Sequence, residues 1–111
     1  SLKLPYRRLL ICGGDLSQSK VKQYDTEGWF PSQSTYRELS SASYYHDFQT
    51  RRFNIRYDDG IKKRYVHSLN CTAVATPRIL AAIVENNQQA DGSVIIPEVL
   101  RPYMGGKAKI G

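Results

Sequence analysis

The stretch NCTAVATPRILAAIVENN, residues 70–87, reads as the end of a strand, a short turn and an amphipathic helix. Thr76 is a good N-cap. Pro77 suits the first helical position, because the N–H it lacks would have no intrahelical partner there. Ile79, Leu80, Ile83 and Val84 recur at helical spacing and make one apolar face that continues toward Asn87. The spacing predicts a helix capped by Thr76, with Pro77 as its first residue, and terminated by Asp91-Gly92. Arg78 then stands at the second helical position, where the macrodipole is positive and a cation is disfavoured by a few tenths to about 1 kcal/mol. Two readings stay open: Arg78 and the free N–H groups of the helix start face one anion, such as a phosphate, or Arg78 is solvated and points away. Asn70 and Thr72 share a parity, so a strand that persisted through both would present an amide and a hydroxyl side by side. Such a pair can bind the polar groups of an amino acid or can merely end a strand.

Working toward the N-terminus, Phe53, Ile55 and Tyr57 alternate with Asn54 and Arg56. After a turn at Asp58-Asp59-Gly60 the pattern resumes through Tyr65, Val66, His67 and Leu69, which predicts a hairpin. Arg7–Cys12 is a short apolar run closed by Gly13-Gly14-Asp15, which predicts a buried strand and a turn. Tyr24–Phe30 reads as a strand stopped by Pro31, Ser32–Thr35 as a polar loop, and Tyr36–Ser43 as extended. Beyond the helix, Val94–Ile96 predicts a short strand and Gly105–Lys109 a mobile end. Antiparallel strands followed by one long helix indicate an α+β layer, with the helix on one face of the sheet.

The 111 residues bound this to one domain or part of one, and 41% hydrophobic against 23% charged residues is a globular balance. Sixteen Lys and Arg against ten Asp and Glu leave +6, which favours polyanionic partners. The apolar run Ile79–Val84 is far short of the ~20 residues of a membrane-spanning helix, and no secretory leader is recognisable. No membrane association is expected. Cys12 and Cys71 form no CxxC pair, so both are expected as reduced thiols in a cytoplasmic protein. The chain opens without Met, as a piece of something longer would.

Glu38, Ser40 and Ser41, with Arg37 beside them, lie on the third predicted strand. A carboxylate and a hydroxyl there suit Mg²⁺ shared with substrate phosphates, or form an exposed polar strand. His67 reads as a packed or edge histidine and His46 has no evident role. Between Arg51 and Arg64, six basic residues (Arg51, Arg52, Arg56, Lys62, Lys63, Arg64) against Asp58 and Asp59 supply +4 of the +6. This run reads as the charged outer face of an amphipathic hairpin in preference to a phosphate track.

Taken in order, these segments resemble the C-terminal half of the catalytic domain of seryl-tRNA synthetase, a class II aminoacyl-tRNA synthetase. LPYRRLLICGGDLS resembles the opening strand and turn, and KQYDTEGWFPSQSTYRELSSAS the nucleotide-contacting strand. DFQTRRFNIRY with RYVHSLN resembles a helix and hairpin, and NCTAVATPRILAAIVENNQQADGSVIIPEVLRPYMGG motif three and the family's ending. The resemblance implies the class II catalytic fold, an antiparallel sheet with flanking helices. It also implies joining of serine to ATP, release of pyrophosphate, and transfer of the seryl group to the 3′ end of tRNA(Ser), in a homodimer. It assigns Glu38, Leu39, Ser40 and Ser41 to ATP, Glu38 and Ser41 to Mg²⁺ held through ATP, Asn70 and Thr72 to serine, and Arg78 to ATP as the catalytic motif-three arginine. Residues 1–111 would then be the motif-three portion, without motif one, motif two or the N-terminal tRNA-binding arm, and inactive alone. The alternative is an inactive paralogue serving as an RNA-binding or dimerisation module. Cys71, Ala73 and Pro77 stand where many members carry glycine, Gly28 where a β-branched residue is common, and Ala42 where cysteine is.

Overall fold

The computed structural model describes residues 1–111. The strands are β1 (Tyr6–Leu10), β2 (Lys22–Phe30), β3 (Thr35–Tyr44), β4 (Arg56–Asp58), β5 (Lys63–Tyr65), β6 (Leu69–Cys71), β7 (Val94–Ile95) and β8 (Lys109–Ile110). The helices are α1 (Phe48–Phe53) and α2 (Thr76–Asn87), with 3-10 turns at Pro31–Gln33 and Glu98–Met104. One sheet has the order β1-β2-β3-β6, and β4-β5 and β7-β8 form separate pairs. The registers of β3 with β6, β4 with β5 and β7 with β8 are all antiparallel. The expected α+β class is what forms. Two compact units divide the chain: Ser1–Arg7, Glu27–Leu39 and Val74–Gly111 make the first, Arg8–Thr26 and Ser40–Ala73 the second.

In the first unit, Phe30, Leu39 and Ala82 are buried together, with Leu4 and Ile79 packed against them. Helix α2 therefore covers β2 and β3 residues with its Ile79–Ala82 side, while Leu80 stays 59% exposed. Gly28 adapts β2 to that packing: a Cβ there would lie 2.6 Å from Leu39 Cδ1, so the larger Leu39 takes the room that a β-branched neighbour would need. The start of α2 is one residue earlier than predicted. Ala75 is the N-cap, without a side-chain cap, which makes Thr76, Pro77 and Arg78 the first three helical residues. The Ala75 N–H is held by the Leu39 carbonyl at 3.1 Å, and its own carbonyl accepts from the Arg78 and Ile79 amides at 3.0 and 2.9 Å. Pairing of Ala75 with β3 fixes the entry in place of a Thr76 cap.

The helix also ends earlier, at Asn87. The Asn86 and Asn87 side-chain amides donate back to the Ala82 and Ile83 carbonyls at 2.8 Å, and Gln88 is extended. Asp91-Gly92 instead forms the tip of the next turn, with Asp91 accepting from the Ser93 amide and hydroxyl and Gly92 at φ +85°. The predicted mobile end is ordered: Gly105 closes the second 3-10 turn in a left-handed conformation, and β8 returns to pair Ile110 with Val94.

In the second unit, the predicted hairpin is shorter. Phe53 belongs to α1, only Arg56–Asp58 and Lys63–Tyr65 pair, and Leu69–Cys71 joins β3 with Asn70 opposite Ser43. The break has a cause: Thr50 Oγ1 takes the Val66 carbonyl at 2.5 Å and the Ser68 amide donates to the His46 carbonyl at 2.9 Å, so residues 66–68 leave the hairpin. Strand β1 forms as expected, but all five of its residues are exposed and not buried. It is an edge strand, and Leu9 and Leu10 remain 41% and 55% exposed.

Candidate functional site

The first unit brings together two of the segments singled out in the sequence. Glu38 and Leu39 lie on β3, and the Arg78 guanidinium on α2 donates to the Glu38 backbone carbonyl. Arg78 is thus not directed away into solvent. Its charge at the positive helix end is offset by a charge-assisted hydrogen bond to β3. Around this junction is an open hollow of about 430 Å³ lined by Glu27, Phe30, Tyr36, Arg37, Glu38 and Arg78, among others. Its walls are braced. Arg7 pairs with Glu27 at 2.5 Å and lies 4.6 Å from the Tyr36 ring centre, Tyr36 meets Trp29 edge-on at 5.1 Å, and Arg37 Nε donates to Gln33 Oε1 at 2.8 Å. The Glu38 carboxylate takes part in none of the five ion pairs of the chain, and Leu39 is buried with the core. Such a hollow presents two cations, a free carboxylate and aromatic walls, which suits a nucleotide with its phosphates and a shared cation.

In the second unit, Ser40 and Ser41 continue β3 and are half-buried. Asn70 is on β6, but the strand ends at Cys71, so Thr72 lies one residue past it and the expected two-residue strand face is not formed. Both side chains are exposed. No cluster of three or more His, Cys, Asp or Glu side chains is assembled that could hold a metal alone. Cys12 and Cys71 are free, exposed thiols.

The same unit contains contacts that the sequence reading missed. Tyr44 Oη is 2.6 Å from His67 Nδ1 and 3.3 Å from His46 Nδ1, with the two imidazoles 5.0 Å apart edge to face. His46 therefore has partners, and alternation along β3 could not reveal them because His46 sits beyond the strand end at φ +49°. Arg51 pairs with Asp47 at 2.7 Å; this hydrogen bond is the main cause that lowers the Asp47 pKa below the usual carboxylate range and raises that of Arg51. Asp59 is lowered chiefly by the Lys62 amide, with Arg64 and the Ile61 amide adding to it.

The family model for the tRNA synthetase class II core domain (G, H, P, S and T) matches residues 1–87. The chain belongs to the class II tRNA synthetase core domain family. Its similarity to curated relatives extends further along the chain. A serine--tRNA ligase of Lysinibacillus sphaericus is 57% identical over 98% of this chain and 26% of its own length, and one of Trichlorobacter lovleyi is 56% identical over the same shares. Among solved structures, seryl-tRNA synthetase of Pyrococcus horikoshii complexed with ATP superposes with a TM-score of 0.92 at 50% identity, over 98% of this chain and 25% of that one. A cytoplasmic serine-tRNA ligase of Naegleria fowleri in complex with AMP gives 0.89 at 46%, over 98% and 26%. The chain thus spans about a quarter of the length of the class II synthetases it matches. No helix is long and apolar enough to cross a membrane.

Proposed function

We propose that residues 1–111 form the motif-three portion of a serine--tRNA ligase, which activates serine with ATP to seryl-adenylate, releases pyrophosphate, and transfers serine to the 3′ end of tRNA(Ser). The observation that carries this reading is the Arg78–Glu38 junction. The two segments assigned to ATP by resemblance, far apart in sequence, are joined by a hydrogen bond in the hollow of the first unit. Glu38, Leu39, Ser40 and Ser41 supply ATP contacts along β3, and Arg78 directs its positive charge at the phosphates. Charge fixed in advance in this way stabilises the negative charge that develops as pyrophosphate leaves. Asn70 and Thr72 bind serine through an amide and a hydroxyl.

Glu38 and Ser41 are the residues that would hold Mg²⁺. They fit it in that both offer only oxygen donors and the Glu38 carboxylate is not consumed by an ion pair, while two side chains are too few for a cage independent of substrate. When bound, Mg²⁺ neutralises phosphate charge. The working enzyme is a cytoplasmic homodimer, and the exposed β1 edge is in keeping with further protein surface against this portion.

The test is serine-dependent ATP–pyrophosphate exchange by a chimaera in which this chain replaces the corresponding quarter of the Lysinibacillus sphaericus ligase. Exchange with serine within tenfold of the parent enzyme is expected. A folded, dimeric chimaera without exchange would overturn the reading in favour of an inactive paralogue.

A further inference from the structure

The basic run Arg51–Arg64 takes no part in the proposed ATP and serine contacts, and the structure changes its meaning. An amphipathic hairpin would separate its aromatic residues from its charges. Here Arg51, Lys62 and Arg64 line the same open hollow, of about 660 Å³, as Tyr57, Tyr65 and His67. The Arg51 and Arg56 guanidinium carbons lie 4.7 and 4.6 Å from the centre of the one Tyr65 ring, and Arg56 Nη2 donates to Tyr65 Oη at 2.7 Å. Cations held against an aromatic face are fixed in direction, and two on one ring repel each other unless an anion joins them. Within the chain the compensation is partial. Asp47 pairs with Arg51 and Asp59 with Arg64, while Arg56, Lys62 and Lys63 have no carboxylate within ion-pair distance. Tyr57 remains 48% exposed at the rim.

We propose that this hollow is a docking site for a single-stranded RNA segment. Lys62 inside it, and Arg56 and Lys63 in the neighbouring hollow that Tyr57 also lines, meet phosphates, and the exposed Tyr57 ring stacks on a base. Pre-positioned cations interleaved with an open aromatic face are the means by which sequence-tolerant single-strand sites work. An acidic peptide would use the cations and leave the Tyr57 face idle. The inference rests on the proposed reading only in that the whole enzyme handles RNA, and RNA binding here can fail while serine activation stands.

The test is binding of a fluorescent twelve-nucleotide oligouridylate to the 111-residue chain, titrated between 50 and 200 mM KCl. The site requires that Lys62→Gln weaken binding at least threefold and lower the slope of log K against log salt by about 0.7, the share of one phosphate contact on a single strand. Lys62→Gln/Lys63→Gln should lower that slope by about 1.4. Tyr57→Ala should weaken binding at least fivefold with no change in slope, since it removes stacking and no charge. The matched double variant Lys107→Gln/Lys109→Gln, in the first unit, should change affinity less than twofold. Lys62→Gln alone carries the test if the double variant misfolds by circular dichroism. Equal losses in the two double variants, or no effect of Tyr57→Ala, would overturn the proposal. Full displacement of RNA by tripolyphosphate at equal phosphate concentration would also overturn it, in favour of a small polyphosphate site.

Discussion

Each of the two units has an interior of different chemistry. Every buried hydrophobic residue, Phe30, Leu39, Ala82 and Ile96, lies in the first unit, whereas the buried residues of the second include Gln23, Asp25, Ser43 and Thr50. The first unit closes over apolar area, which is non-directional and tolerant of small shifts. The second depends on directed bonds: Gln23 to Asp25 at 2.7 Å, Thr50 to the Val66 carbonyl, Tyr44 to His67, and the Asp59 side chain to the Ile61 and Lys62 amides. The difference matters for function. The proposed ATP segment Glu38–Leu39 and Arg78 rest on a packed layer, while Asn70, Thr72 and the basic hairpin rest on a polar framework in which one lost partner leaves a carbonyl or amide without its bond.

This contrast can be broken most severely at Leu39. Leu39→Ala removes a core side chain and should destabilise the first unit by about 2–5 kcal/mol, read as faster amide exchange in α2 with the β4–β5 hairpin unaffected. Uniform acceleration across both units would show that they are one cooperative block. Thr50→Val tests the polar side. It keeps the volume and removes the donor to Val66, so about 1–2 kcal/mol is expected, with exchange accelerated in α1 and residues 66–68 and not in α2.

The smallest effect comes from pH. The folded Asp59 pKa lies below its ordinary value near 3.9. Its contribution is therefore fully present above that ordinary value and is lost as pH falls through the depressed folded one. A thermal melt followed from pH 6 to pH 2 should weaken in that acid window, and Asp59→Asn should flatten the dependence. An unchanged profile in Asp59→Asn would remove Asp59 from the framework of the second unit.

Local patterns carried the fold where local forces decide it. Pro31 and the Ile79–Val84 periodicity were enough for β2, β3 and α2, because their apolar positions meet one another in the packed unit. Three features lay outside such reading. The α2 start is set by the Ala75 pairing to Leu39, a contact between segments. The hairpin is cut short by Thr50 capturing a carbonyl sixteen residues away. The C-terminal segment is ordered by β8 returning to β7, although Gly105-Gly106 advertises a loose end. For the site, the residue types on β3 and at Arg78 were legible from sequence. Their junction was not, since a side chain reaching a backbone carbonyl forty residues distant has no sequence signature. The pairing of His46 with Tyr44, only two residues apart, escaped because His46 lies past the end of β3 at φ +49°, where strand alternation no longer applies.

The account stands or falls on whether the Arg78–Glu38 junction handles ATP or merely ties α2 to β3. The deciding measurement is ATP–pyrophosphate exchange by the chimaeric ligase carrying Arg78→Ala, alongside its thermal melt. A loss of at least tenfold in kcat/KM for ATP, with the melting midpoint within a few degrees of the unsubstituted chimaera, is the expected result. Unchanged exchange with a lowered midpoint would contradict the account, leaving Arg78 a structural tie and the phosphate assignment wrong.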